Sequence, residues 1–101
     1  MMKLNNAALV IPMFGGNWPY LDLWLSTIKK QPMDVLFFSD CDLDAPDNVT
    51  VIKSSLDDVF DRAEEALGVK ITKRYPYKLC DLKSFYGLIF ESELQEYKYW
   101  G

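Results

Sequence analysis

Apolar and polar positions alternate between two periods along this chain, and the switches mark its elements. Ala7 to Met13, "AALVIPM", is a continuous apolar run that ends in Pro and then "FGG". Its length and its turn residues predict a strand buried on both faces. "NWPYLDLWLSTIKKQP" follows, with Leu21, Trp24, Leu25 and Ile28 at helical spacing. Pro19 suits a first turn, Lys29 and Lys30 suit the negative end of the helix dipole, and Pro32 stops the helix. "DVLFFSD" predicts a second buried strand. "NVTVIKSS" predicts a third, with Val49, Val51 and Lys53 on one face.

The next helix is the best marked. In "SLDDVFDRAEEALG", Ser55 and Asp58 have capping-box spacing, Leu56, Val59, Phe60, Ala63 and Leu67 form one stripe, and Gly68 is a C-terminal stop. "VKITK" reads as a short edge strand. "YPYKLCDLKSFYGLIFESEL" reads as a third helix from Pro76, with Leu79, Leu82, Phe85 or Tyr86, and Ile89 inward. Gly87 within it costs about 1 kcal/mol relative to Ala, which points to close packing. "EYKYWG" leads into another strand.

Buried strands joined by helices predict an α/β domain of three layers, Rossmann-like, with a mainly parallel sheet and helices on both faces. The carboxyl ends of the first two strands then share one edge, where open α/β sheets bind ligands. Phe14 to Gly16 and Ser39 to Asp44 meet there, with Ser54 and Ser55 close by.

Composition narrows the choices. Half of the 101 residues are apolar and 15% are aromatic, enough for one small domain with a core. Net charge is −4 and the pI is near 4.7, with no basic stripe, so nucleic acid is not an expected partner. Lys29–Lys30 and Lys73–Arg74 read as solvated surface pairs. No apolar run reaches the ~20 residues of a membrane span, and the N-terminus lacks signal-peptide features. Cys41 and Cys80 match no zinc or CxxC spacing and read as free thiols in a reducing cytosol; His is absent, which removes the commonest general base and zinc ligand.

The acids after the second strand, Asp40, Asp42 and Asp44, pose the chemical question. They match the first, third and fifth positions of a calcium loop, but Ala45 stands where Gly is needed and Val51 where Glu is needed. Asp40 and Asp42 also have the D-x-D spacing of haloacid-dehalogenase-type phosphoryl transfer, with Leu43–Asp44 in place of the usual Thr or Gly. A third reading gives Asp40 alone to a ligand, accepting a hydrogen bond from a nucleobase N–H or a ribose hydroxyl, and leaves Asp42 and Asp44 as turn residues. Solvated loop acids are the fourth.

"ALVIPMFGGNWPYLDLWLSTIKKQP", "DVLFFSD" and "RYPYKLCDLKSFYGLIFESELQEYKYWG" together resemble bacterial glycosyltransferases of the GT-A class along nearly the whole chain. The most specific pieces are P-x-F-G at Pro12 to Gly15, F-S-D at Phe38 to Asp40, and P-Y-K-L-C-D at Pro76 to Asp81. The resemblance implies a GT-A-like fold and sugar transfer from a nucleotide-activated donor, a UDP-sugar, in surface polysaccharide synthesis. By position, Pro12, Phe14 and Gly15 would line the nucleotide pocket, with Phe14 near the base or ribose. Asp40 would contact the base, and Lys78 and Asp81 would approach the donor; the plain alternative for those two is a surface ion pair. The metal-binding D-x-D of that class is expected directly after a segment like "YKYWG", where this sequence reaches Gly101. Residues 1–101 are therefore expected to be one N-terminal nucleotide-binding domain of a longer enzyme, inactive alone. It would bind no metal itself, with Mn or Mg used by the full-length enzyme. The last strand is expected to leave an exposed sheet edge that favours self-association. Two other functions stay open: a non-catalytic interaction module anchored by Trp18, Tyr20, Tyr75, Tyr77 and Trp100, and the phosphoryl-transfer enzyme above.

Overall fold

The structure, a computed structural model, describes residues 4–15 and 18–101; Gly16 and the side chain of Tyr77 lie outside the described parts. Four strands, β1 (Ala7–Pro12), β2 (Asp34–Ser39), β3 (Val49–Lys53) and β4 (Tyr99–Trp100), form one sheet in the order β3-β2-β1-β4, and every pairing is parallel. The chain steps outward from β1 to β2 and β3, then returns past β1 to β4. Right-handed crossovers in opposite directions place their helices on opposite faces. Helix α1 (Leu21–Ile28) accordingly covers one face, with Leu25 and Ile28 against Val35, Phe37 and Val49. Helix α2 (Leu56–Leu67) and the segment after it cover the other, where Val59, Phe60 and Ala63 meet Val10, Leu36 and Phe38. The fold is thus a three-layer α/β domain of the Rossmann-like type. No helix among the described residues is long and apolar enough to cross a membrane.

Helix α2 is built as its sequence dictates. Ser55 accepts from the Asp58 amide at 3.0 Å, Asp58 accepts from the Ser55 amide at 3.2 Å, and Gly68 closes the helix at φ 68°.

Two expected elements differ. "VKITK" is not a strand. At its centre the Ile71 backbone is bonded to side chains instead: its amide donates to Glu64 at 2.6 Å, and Arg74 Nε donates to its carbonyl at 3.0 Å. Nor is the last helical region one α-helix. A 3-10 helix spans Pro76–Phe85, followed by two single turns, α3 (Tyr86–Ile89) and α4 (Glu91–Leu94). Leu79 and Leu82 point inward three residues apart, a repeat that matches the three residues per turn of a 3-10 helix; Phe85, the next position of that repeat and the last residue of the 3-10 helix, is nevertheless exposed. The inward aromatic at the junction is Tyr86.

Gly87 does mark a close approach. A Cβ there would stand 2.6 Å from Cζ2 of Trp100, so the β4 indole is seated on the glycine. Replacing Gly87 by Ala therefore displaces the indole. The overpacking cost of about 1–3 kcal/mol exceeds the ~1 kcal/mol helix-propensity gain of Ala over Gly. A lower urea midpoint with a changed tryptophan emission is expected for Gly87→Ala. An unchanged emission with a raised midpoint would show that the ring is not seated there.

Candidate functional site

The carboxyl edge of the sheet gathers most of the residues singled out by the sequence. After Pro12, the Met13 amide donates to the Phe38 carbonyl at 2.8 Å, so β1 stays paired to its last residue. Phe14 then turns its ring into the core, and Gly15 adopts φ +101°, a left-handed conformation that favours glycine. At the end of β2, buried Ser39 accepts from the Cys41 amide at 3.2 Å, which leaves Asp40 exposed at the rim. The Ser54 amide donates to the Ser39 carbonyl at 2.9 Å, bringing the capped start of α2 to the same edge. Pro12, Gly15 and Asp40 are thus brought to one edge of the fold, with Phe14 beneath them.

Lys78 and Asp81 arrive by a different route. Ile71 is tied to Glu64 near the end of α2, whereas Arg74 reaches Asp61 at 2.8 Å and Asp57 at 3.1 Å near its start. The segment therefore runs back along α2 and delivers Pro76 to the carboxyl side. There Leu79 joins the cluster that holds Phe14, and the buried Tyr86 hydroxyl donates to the Leu79 carbonyl at 3.2 Å. Burial pushes the Tyr86 phenol up to about 12, so it is a permanent donor. Lys78 and Asp81 pair with each other at 3.0 Å, one turn apart, and the Asp81 bond and charge raise the Lys78 ammonium above its ordinary value.

The electrostatics of this edge are acidic. Lys53 is paired with Asp42 at 3.1 Å, and both ends are well exposed, so the pair is weak. Arg74 is shared among Asp57, Asp61 and Glu64. Asp57 and Asp58 already occupy the first turn of α2, where an anion would otherwise be welcome. In the Asp40–Cys41–Asp42 stretch, Asp42 faces Lys53, and Asp40 accepts from the Cys41 thiol at 3.4 Å. Among the described residues, no three His, Cys, Asp or Glu side chains gather into a set that could hold a metal ion.

A second feature was not announced by any motif. On the α1 face, beside the end of β1, lies an apolar cavity of about 410 Å³ lined by residues that include Ile11, Met13, Trp18, Tyr20, Trp24 and Phe37. Trp18 meets Phe37 edge-on at 6.0 Å and Trp24 lies 6.1 Å from the same ring. Pro12, Phe14, Gly15, Asp40, Lys78 and Asp81 are all outside its wall. The signal in the sequence is the aromatic density of "NWPYLDLW", which reads equally well as the inner face of a helix.

The Asp40 geometry has a chemical consequence. The hydrogen bond to Asp40, then partial burial and the charge of Asp40, raise the Cys41 thiol above its ordinary value. Thiolate is the reactive form. Asp40→Asn is therefore expected to speed alkylation of Cys41 by iodoacetamide at mildly alkaline pH, with exposed Cys80 as the internal reference. An unchanged ratio of the two rates would mean that the carboxylate and thiol are not in contact.

No curated protein and no solved structure matches the chain. A family model does, over residues 9–101, which takes in all four strands except the start of β1 and includes the whole carboxyl edge. The chain belongs to DUF6625, a family of unknown function.

Proposed function

We propose that this chain is the nucleotide-sugar-binding part of a glycosyltransferase, with a UDP-sugar as donor. The observation that carries the reading is the strand order. It reverses at β1, with β2 on one side and β4 on the other, and such a switch point is where open parallel sheets hold nucleotides. The left-handed turn at Gly15 and the exposed carboxylate of Asp40 stand at that point. In this reading the Pro12 to Gly15 turn lines the base and ribose, with Phe14 supporting it from below. Asp40 accepts the ring N–H of uracil, and Lys78 and Asp81 face the donor from the 3-10 helix. The manganese or magnesium of such enzymes has no acid set among the described residues, so the reading assigns binding to this chain and not transfer.

A second reading is favoured by the aromatic cavity. Trp18 and Tyr20 line it, and Tyr75 and Trp100 are nearly half exposed, as anchors of an interaction module would be.

An NMR titration with UDP, GDP and CMP, with and without manganese, separates the two. Donor binding predicts saturable shifts at Gly15, Asp40 and Cys41 for UDP, little response to CMP, and little dependence on metal. Asp40→Asn should weaken UDP binding by roughly tenfold, the worth of a hydrogen bond to a charged group. Absence of shifts at millimolar nucleotide would sink the donor reading and move the interaction module ahead.

A further inference from the structure

Asp34 stands at the amino end of β2, remote from the carboxyl edge. The residue is 3% exposed and its carboxylate gathers four donors: the Leu4 amide at 2.9 Å, the Asn5 amide at 3.3 Å, Asn5 Nδ2 at 2.8 Å and the Tyr97 hydroxyl at 2.6 Å. The first three belong to the approach to β1. The fourth belongs to the approach to β4, two residues before Tyr99. The bond from Asp34 to Tyr97 therefore joins β2 to the lead-in of β4 across the intervening β1. Ala8, in register with both Asp34 and Trp100, carries only a methyl group there.

Strand β4 is short: it has two residues, Tyr99 is 61% exposed, and its burial comes from the Trp100 indole seated on Gly87. Its backbone is held to β1 by the Tyr99 amide to Asn6 at 3.2 Å, the Gly101 amide to Ala8 at 2.9 Å and the Val10 amide to Gly101 at 2.9 Å. Strands β1 and β2, by contrast, are paired along five successive positions. We propose that the Asp34 carboxylate is a latch that fastens β4 to the sheet through Tyr97.

Tyr97→Phe is the cleanest variant, because it keeps the buried ring and removes only the hydroxyl. Amide hydrogen exchange on the full chain reads the latch without any ligand. Exchange at Val10, Tyr99 and Gly101 is expected to rise by about tenfold, the scale of one charged hydrogen bond, while Ser54 and the β2–β3 amides keep their rates. In a cycle with Asp34→Asn, the double variant should open β4 no further than the more severe single variant. Unchanged β4 rates would overturn the latch. So would a uniform rise across all strands, which a merely structural contribution to global stability produces.

Discussion

Strand β2 is buried at all six of its positions, and the rest of the fold is arranged around that fact. Its apolar centre serves two layers at once: Val35 and Phe37 pack toward α1, Leu36 and Phe38 toward α2. A strand with no solvent face must be covered twice, which requires helices on both sides of a parallel sheet. Its two ends are polar, and each end is satisfied differently. Asp34 collects four donors from the approaches to β1 and β4, whereas Ser39 fixes the first turn beyond β2 through Cys41. Burial alone would push the Asp34 carboxyl up. The Tyr97 hydroxyl, the Leu4 amide and the two Asn5 donors together outweigh it and hold the group below its ordinary value. The carboxylate therefore stays charged and its hydrogen bonds stay made throughout the neutral range. Its contribution to stability is present above the unfolded pKa of about 3.9 and is lost only as pH falls through the lower folded value.

The two faces of the sheet have been finished unequally. On the α2 face, Arg62 lies over the rings of Phe38 and Phe90 and donates to Glu93 at 2.6 Å and to the Ile89 carbonyl at 3.1 Å, so one guanidinium joins α2 to both short turns before β4. Arg74 does the same for the irregular segment after α2. On the α1 face a single eight-residue helix covers three strands and leaves an aromatic cavity at its start. Its outer side carries Asp22, Ser26 and Thr27, with Leu23 exposed among them.

Much of the fold was legible because local and global signals agreed. The stripe from Leu56 to Leu67, the Ser55–Asp58 box and Gly68 each specify α2 without reference to anything else. The segment after α2 failed for the opposite reason. "VKITK" has strand propensity, but its backbone partners are side chains, Glu64 and Arg74, and a pattern of apolar positions does not encode such partners. The 3-10 helix was hidden because spacings of three and four both suit an α-helix, and the choice between them was settled by packing under Phe14. Asp34 was invisible as a hub. At the head of "DVLFFS" it reads as a strand-boundary residue, and its four donors lie about thirty and sixty residues away in sequence. The carboxyl-edge residues, in contrast, followed from topology alone, since any parallel β1–β2 pair brings Gly15 and Asp40 together.

Charge decides what that edge can recognise. A nucleoside diphosphate presents a neutral base and ribose and a strongly anionic tail. Three cations near this edge are already engaged: Lys53 with Asp42, Lys78 with Asp81, and Arg74 with three carboxylates. The exposed pairs at Lys53 and Lys78 cost little to break, but each releases an acid beside the phosphates. The N-terminus of α2 is occupied by its own Asp57 and Asp58. If the chain binds a donor as proposed, recognition by these residues would centre on the base and sugar, through hydrogen bonds to Asp40 and the backbone of the Gly15 turn. The diphosphate gains little here, because neutralising a leaving diphosphate is the task that demands the largest concentrated positive charge. On the proposed donor-binding role, reading the base while leaving the phosphates uncompensated would separate binding from chemistry, and that separation would follow from the placement of five acids, Asp40, Asp42, Asp57, Asp58 and Asp81, around one sheet edge.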